Sequence, residues 1–436
     1  MGILNKHSDF EHGFGRPDEA SAAGETGFEI VSTLLDGYQG RVAVRLWDGR
    51  THNDQPDTTC TLQFMHPGIL RDLVLKRDLV RLGEAYLSGG LEVEGNMESL
   101  FELGPWLQRL RLSASSKLRL LYLALRLPSG LDRDAALERR AGSTAIKRNS
   151  QKSIAHHYDV SNDFYRLWLD PQMIYSCAYF RDERQSLSEA QCDKLDHICR
   201  KLRLQPGQTL LDIGCGWGAL VIWAAKNYGV QSHGITLSKQ QFEYAQRRIT
   251  AEGLTDRVVV ELRDYRDLYD ESRYDRIVSV GMFEHVGIRN FPRYFGKVKH
   301  LLKPGGLFLN HGITNDSGWN DTSLQQFVNK YVFPDGELTR ISEVNQAMEQ
   351  SGFELLDVES LRRHYAYTLR QWVRSLEAHR EEAVTLSSDA TYRLWRLYMA
   401  GSAYYFDEGS VNVYQVLAGH TGQALSVPLR RDDLYS

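Results

Sequence analysis

The stretch Leu210–Gly218, LLDIGCGWG, decides the reading of the fold. Leu210, Leu211 and Ile213 make a short apolar run of strand type. Gly214, Gly216 and Gly218 follow at alternate positions, where the missing Cβ lets the backbone turn sharply and lie against a ligand. A helix is expected to begin near Ala219. In the dinucleotide fingerprint a third glycine would fall where Ala219 stands, although the looser form of that motif admits alanine. A dinucleotide site usually also carries an Asp or Glu about 20 residues past the first glycine to hold the ribose hydroxyls. The next apolar strand instead ends in GITLS, with Thr236 at that place and no acid beside it.

Outward from this turn, Leu210–Ile213, Ser232–Thr236, Val258–Leu262, Arg276–Val280 and Gly306–Leu309 alternate with helical patterns, which predicts an α/β fold with a doubly wound parallel sheet. At 436 residues the chain is long for one domain. We expect a small N-terminal α+β domain over 1–105, a basic helical linker over 106–150 and a catalytic domain over 151–436. The first has a hairpin signal at Asp48-Gly49 and a helical run over Ile69–Leu82.

Five cysteines, Cys60, Cys177, Cys192, Cys199 and Cys215, form no C-x-x-C pair or zinc spacing, so neither a disulfide framework nor a metal centre is expected. No apolar stretch reaches the roughly 20 residues that span a bilayer, and the first residues lack a secretion signal's apolar core. The expected location is the cytoplasm.

Net charge is −4, but Arg109–Lys152 holds eleven basic and three acidic residues, a local +8 that leaves −12 on the remainder. Over the first part of this segment and just before it, Leu107, Leu110, Ala114, Leu118, Leu121 and Leu125 recur at helical spacing among Arg109, Lys117, Arg119 and Arg126. Such a helix can lie on an anionic membrane or pack on its own protein with a solvated basic face. Nucleic acid is disfavoured, because the apolar residues are aliphatic rather than stacking aromatics.

The glycine turn with its preceding acid resembles the class I S-adenosylmethionine-dependent methyltransferases, which places Asp212 near the methionine amino group. Further along, IAHHYDVSNDFYRLWLD (154–170), MIYSCAYF (173–180), GITLSKQQ (234–241), GMFEHVG (281–287), LNHGIT (309–314) and RRHYAYTLRQW (362–372) occur in that order. Together they resemble the cyclopropane-fatty-acid synthase and mycolic-acid methyltransferase family, from about Ser153 to Leu417. The HPGILRDLVLKRDLVRLGEAYLSGGLEVEG stretch more weakly resembles the N-terminal domain of bacterial cyclopropane-fatty-acid synthases, with a role in lipid engagement or dimer contact.

The resemblance implies a cofactor set of Tyr175 and Ser176 at the methionine end, Gly214 and Gly216 at ribose and methionine, Thr236, Leu237 and Gln241 around the ribose, and Asp264 and Tyr265 near the adenine. It also implies a bound bicarbonate as base, held by the side chains of Glu284, His311 and Tyr365 and by backbone groups of Cys177 and Ile313. A carboxylate set directly against a carbocation could collapse onto it, which is why a small held anion suits this chemistry. Tyr158, Tyr179, Phe180 and Trp372 are candidates for stabilising the cation through their ring faces. Taken singly, each of these residues reads equally well as core packing. Many members carry a cysteine where this chain has Ser402. The helical spacing of Leu324–Phe333 suggests a cover for the acyl channel.

The resemblance further implies an unsaturated phospholipid substrate, peripheral contact with the inner face of the cytoplasmic membrane, and a homodimer. The alternatives are a relative that makes methylene- or methyl-branched chains, or a lipid-binding protein that keeps the cofactor pocket without catalysis.

Overall fold

The computed structural model describes residues 17–76, 78–129, 160–269, 271–317, 323–333, 336–424 and 427–435. Compactness divides the chain into two units. The first takes in Met1–Ser150, Thr322–Phe327 and Ser388–Gly401, and the second takes in Gln151–Asp321, Val328–Ser387 and Ser402–Ser436.

In the first unit, helix α1 (Pro17–Leu34) precedes strands β1 (Val42–Arg45), β2 (Thr51–His52) and β3 (Cys60–Phe64), helices α2 (Pro67–Lys76) and α3 (Leu79–Leu87), strand β4 (Leu91–Gly95), and helices α4 (Leu103–Arg109) and α5 (Ala114–Arg126). The sheet order is β2-β1-β3-β4. β1 and β2 are antiparallel around the Asp48-Gly49 turn, where Gly49 has φ +90°. The helical run expected over 69–82 is two helices, and Asp78 starts the second by accepting the Val80 N–H.

The basic segment departs from its expected pattern. Leu110 is extended and ends α4, and Ser113 caps α5 through the Ser116 N–H, so 107–125 is not one helix. α5 packs on α1 and α2 through Leu120, Leu123 and Ala124, so this part of the expected linker belongs to the first unit. The anticipated apolar positions Leu118, Leu121 and Leu125 point outward, 67%, 45% and 58% exposed, beside exposed Tyr122. The rest of the basic segment, 130–152, lies outside the described residues.

The second unit contains helices α6 (Asn162–Arg166) and α7 (Leu187–Lys201), strand β5 (Thr209–Ile213), helix α8 (Ala219–Tyr228), β6 (Gln231–Thr236), α9 (Lys239–Ala251), β7 (Val258–Leu262), β8 (Tyr274–Val280), α10 (Phe291–Leu301) and β9 (Leu302–Asn315). After α11 (Ser323–Tyr331), whose first residues belong to the other unit, come α12 (Ile341–Gln350), β10 (Phe353–Ser360), α13 (Arg362–Ala378), α14 (Arg380–Leu386), α15 (Asp389–Glu408), which belongs to the other unit as far as Gly401, and β11 (Val411–His420).

Its seven strands run β10-β11-β9-β8-β5-β6-β7. β7, β6, β5, β8 and β9 run parallel to one another, as expected, and β11 is inserted antiparallel between β9 and β10. The pleat of β5 sorts its side chains. Leu211 and Ile213 enter a core with Tyr294, Phe295 and Val298 of α10, while Leu210 packs with Leu195 and Ile198 of α7 and Leu220 of α8. The carboxyl ends of β5, β6 and β8 and the middle of β9 carry the residues singled out by the sequence.

Candidate active site

At the end of β5 the chain turns through Gly214 (φ +83°), Gly216 (φ +54°) and Gly218 (φ +85°), all left-handed, and α8 starts at Ala219. The Gly214 and Cys215 N–H groups both donate to the Ile235 carbonyl on β6. A Cβ on Gly216 would meet nothing within 4 Å, so the loop leaves open space there. Asp212 is buried, its Oδ1 has no hydrogen-bond partner among the described residues, and burial lifts its carboxyl to about 7 against the opposing pull of Lys194. A buried, unsatisfied carboxylate oxygen beside a Cβ-free turn fits the ammonium end of S-adenosylmethionine.

On the next strand, the Thr236 hydroxyl donates to Gln241 Oε1 at 2.8 Å, which joins two of the expected ribose residues. Leu237 between them is 73% exposed. Asp264 accepts the Arg266 N–H and pairs with its guanidinium, so its carboxylate is already engaged; the Tyr265 ring stands edge-on to Tyr294 at 5.3 Å.

Tyr175, Ser176 and Cys177 lie in a loop clamped by α7, which begins with a capping box between Ser186 and Glu189. From one face of this helix, Gln191 Nε2 donates to the Ser176 carbonyl at 3.0 Å and Lys194 Nζ to the Ser176 hydroxyl at 2.7 Å. Lys194 is buried, which lowers its ammonium to about 8. The sequence reading missed both residues. The Cys177 thiol is fully buried, bonded to the Ala178 and Leu361 carbonyls, and pushed upward by burial, so it is inert.

Glu284 follows β8, in a loop set against β9. The Gly281 N–H donates to the His311 carbonyl at 2.8 Å and the Ile313 N–H to Glu284 Oε1 at 2.7 Å. A Cβ on Gly312 would stand 1.9 Å from the Phe283 ring and 3.1 Å from Glu284 Oε1, so only glycine lets this loop close. The Ile313 N–H, one of the backbone groups expected at the anion, is here engaged by Glu284 Oε1 and supports that carboxylate. Burial raises Glu284 to about 7 in spite of the Ile313 bond, and its Oε2 has no partner among the described residues. His311 is likewise buried; desolvation, then the charges of Lys194 and Lys201, hold its imidazole down at about 3. Its Nε2 also lacks a partner among the described residues.

Tyr365, in the first turn of α13, is connected to the cofactor side by rings. It lies 6.0 Å from Trp372, which lies 5.3 Å from Tyr175. Trp168, Tyr165 and Trp217 continue this group back to the glycine turn, where Trp217 Nε1 donates to Asn162 at 2.8 Å. Tyr179 is instead stacked between His197 and His364, and Phe180 lies against Tyr367, so Trp372 is the one described member of the anticipated cation-facing rings in this group. Tyr158 lies outside the described residues. Ser402 sits in α15.

A seven-stranded sheet of this order, with a glycine turn after its first strand and an open acid before it, defines an S-adenosylmethionine-dependent methyltransferase. The comparisons agree. Residues 145–416 match the family model for mycolic acid cyclopropane synthetase, and residues 31–105 match a domain of unknown function. The chain belongs to the mycolic acid cyclopropane synthetase family.

Among relatives, a probable fatty acid methyltransferase of Pseudomonas putida is 40% identical over 90% of this chain and 95% of its own. The cyclopropane-fatty-acyl-phospholipid synthase of Escherichia coli K12 is 40% identical over 64% of this chain and 72% of its own. The solved structure of mycolic acid cyclopropane synthase CmaA1 complexed with SAH and CTAB aligns with a TM-score of 0.57 at 37% identity, over 62% of this chain and 99% of that one.

Proposed function

We propose that the protein transfers a methylene group from S-adenosylmethionine to the cis double bond of unsaturated acyl chains in membrane phospholipids, forming cyclopropane fatty acids, with bound bicarbonate as base. The observation that carries this reading is the pair of buried atoms Glu284 Oε2 and His311 Nε2, both without a partner among the described residues, an acceptor and an imidazole nitrogen held where β8 and β9 meet. The names of the relatives and of the matched family support the lipid substrate.

When bound, S-adenosylmethionine supplies an electrophilic methyl group, and bicarbonate a base for the proton lost at ring closure. Asp212 holds the ammonium of the cofactor, and the Ser176 loop, fixed by Gln191 and Lys194, covers its methionine end. Glu284 accepts the hydroxyl of the anion and makes it more basic, while Tyr365 and neutral His311 hold its oxygens. Trp372, Tyr175 and Tyr365 exclude water and offer ring faces to positive charge, worth about 0.5–2 kcal/mol for a well-placed ring.

The outward face of α5, with Leu118, Leu121, Tyr122 and Leu125 among Lys117, Arg119 and Arg126, is the surface that meets the inner leaflet. Among the described residues no helix is long and apolar enough to cross a membrane. A second reading, methyl or methylene branching of the acyl chain, is favoured by the Pseudomonas putida relative, whose match extends over most of both units.

The test is to incubate the protein with S-adenosylmethionine, bicarbonate and vesicles of monounsaturated phospholipid and to identify the product by proton NMR. Upfield cyclopropane methylene signals are expected. Vinylidene or methyl-branch signals would replace this reading with the second, and unmodified lipid would overturn both.

A further inference from the structure

The strand register sets three polar side chains in a row: Glu359 on β10 pairs with Gln415 on β11, which pairs with His311 on β9. Beyond them stands the overlying helix α7, whose His197 Nε2 and Lys201 Nζ lie 2.8 and 2.5 Å from Glu359 Oε2. Gln415 is fully buried, and its Nε2 lies 3.2 Å from His311 Nδ1. With the Gln415 amide in this orientation its nitrogen, which donates and does not accept, makes Nδ1 the acceptor, and Gln415 Oε1 has no partner among the described residues. A neutral imidazole has one proton, and it must then be on Nε2, the atom without a partner.

We propose that Gln415 is a positioning residue for the reaction, fixing His311 as the Nε2–H tautomer so that the ring offers a donor to the bound anion. The proposal rests on the reading of Glu284 and His311 as an anion site. Hydrogen carbonate has one hydroxyl hydrogen, and ionised Glu284 takes it. The remaining oxygens of the anion need donors. With the other tautomer, the carboxylate and Nε2 would both be acceptors competing for that single hydrogen, and an anion oxygen would face a lone pair.

The test uses the full-length protein labelled with imidazole-15N histidine, with the His311 signals assigned by their loss in His311→Asn. Wild type is expected to show a protonated Nε2 and a bare Nδ1. In Gln415→Glu, which keeps the shape and when ionised can only accept, the proton should move to Nδ1. The KM for bicarbonate should then rise on the order of tenfold or more, while the dissociation constant of S-adenosylmethionine stays unchanged. Gln415→Leu, with no hydrogen bond to give, should show both tautomers and an intermediate KM. A protonated Nδ1 in wild type, or an unchanged bicarbonate KM in Gln415→Glu, overturns the proposal. Wild-type turnover that ignores bicarbonate overturns the anion-site reading instead, and the nitrogen spectrum still decides the tautomer.

Discussion

Glu284 receives the Ile313 N–H on Oε1 at 2.7 Å and keeps Oε2 free of any described partner, so one residue is both anchored and open. Glu284→Gln preserves the anchor, because an amide oxygen can still accept from Ile313, but it replaces the open acceptor by a donor. Turnover should fall by about 10²- to 10⁴-fold, with little change in cofactor affinity by calorimetry. Intact turnover would remove Glu284 from the chemistry.

The open oxygen of Asp212 predicts a pH dependence of cofactor binding. Burial lifts this carboxyl to about 7, and only its ionised form attracts an ammonium. Binding of S-adenosylmethionine, measured without lipid, should therefore tighten as pH rises through about 7. Asp212→Asn should bind more weakly and lose that slope.

Lys194 acts on the cofactor through Ser176. Lys194→Met keeps much of the buried stem but deletes the 2.7 Å bond and leaves the Ser176 hydroxyl without its donor. A hydrogen bond from a charged group is worth about 1.5–3 kcal/mol, so the KM for S-adenosylmethionine should rise roughly ten- to hundredfold. Ser176→Ala should reproduce most of this increase. If the single variants were each harmless, the clamp would not set cofactor affinity.

On α5, Lys117→Gln and Arg126→Gln together should weaken binding to anionic vesicles, since each basic residue near such a surface contributes about 1 kcal/mol. The loss should shrink in high salt. Leu118→Glu with Leu125→Glu should weaken binding at all salt concentrations. Sedimentation with vesicles reads both, and unchanged binding would exclude this face, leaving contact between two copies of the chain to be tested by light scattering.

Glu359 gives an acid-stability prediction. Its burial would raise its carboxyl, but the bond from His197 and the charge of Lys201 outweigh that and hold it at about 2, below the ordinary glutamate value of 4.5. A depressed carboxyl stabilises the fold above its unfolded pKa, and that contribution is lost as pH falls from about 4.5 towards 2. Glu359→Gln should flatten the thermal-stability profile in that window.

The glycine turn and the five parallel strands were legible because each has a local signature, a spacing or a period, whereas Glu284, His311 and Tyr365 were singled out only by the motifs of the family resemblance. The α7 stripe of Gln191, Lys194, His197 and Lys201 was not. Polar residues at helical spacing read as a solvated face, yet all four are buried, because the sheet beneath carries its own polar groups at Asp212, Glu359 and Gln415. Pairing across β11 is non-local, and nothing near residue 415 announces that it will lie opposite residue 311. The stripe on α5 left two readings open, a membrane face or a packed face. Leu118, Leu121 and Leu125 have the period of a packed face, but Leu120, Leu123 and Ala124 take that place.

The first unit is not contiguous in the chain. The α15 residues Arg393 and Arg396 belong to it: Arg393 pairs with Glu92 at 2.6 Å, and Arg396 donates to the Val93 and Gly95 carbonyls at the end of β4. Synthesis proceeds from the N-terminus, so β4 emerges 303 residues before the guanidinium that Val93 accepts from. A nascent chain stalled before residue 393 would therefore present β4 without those donors.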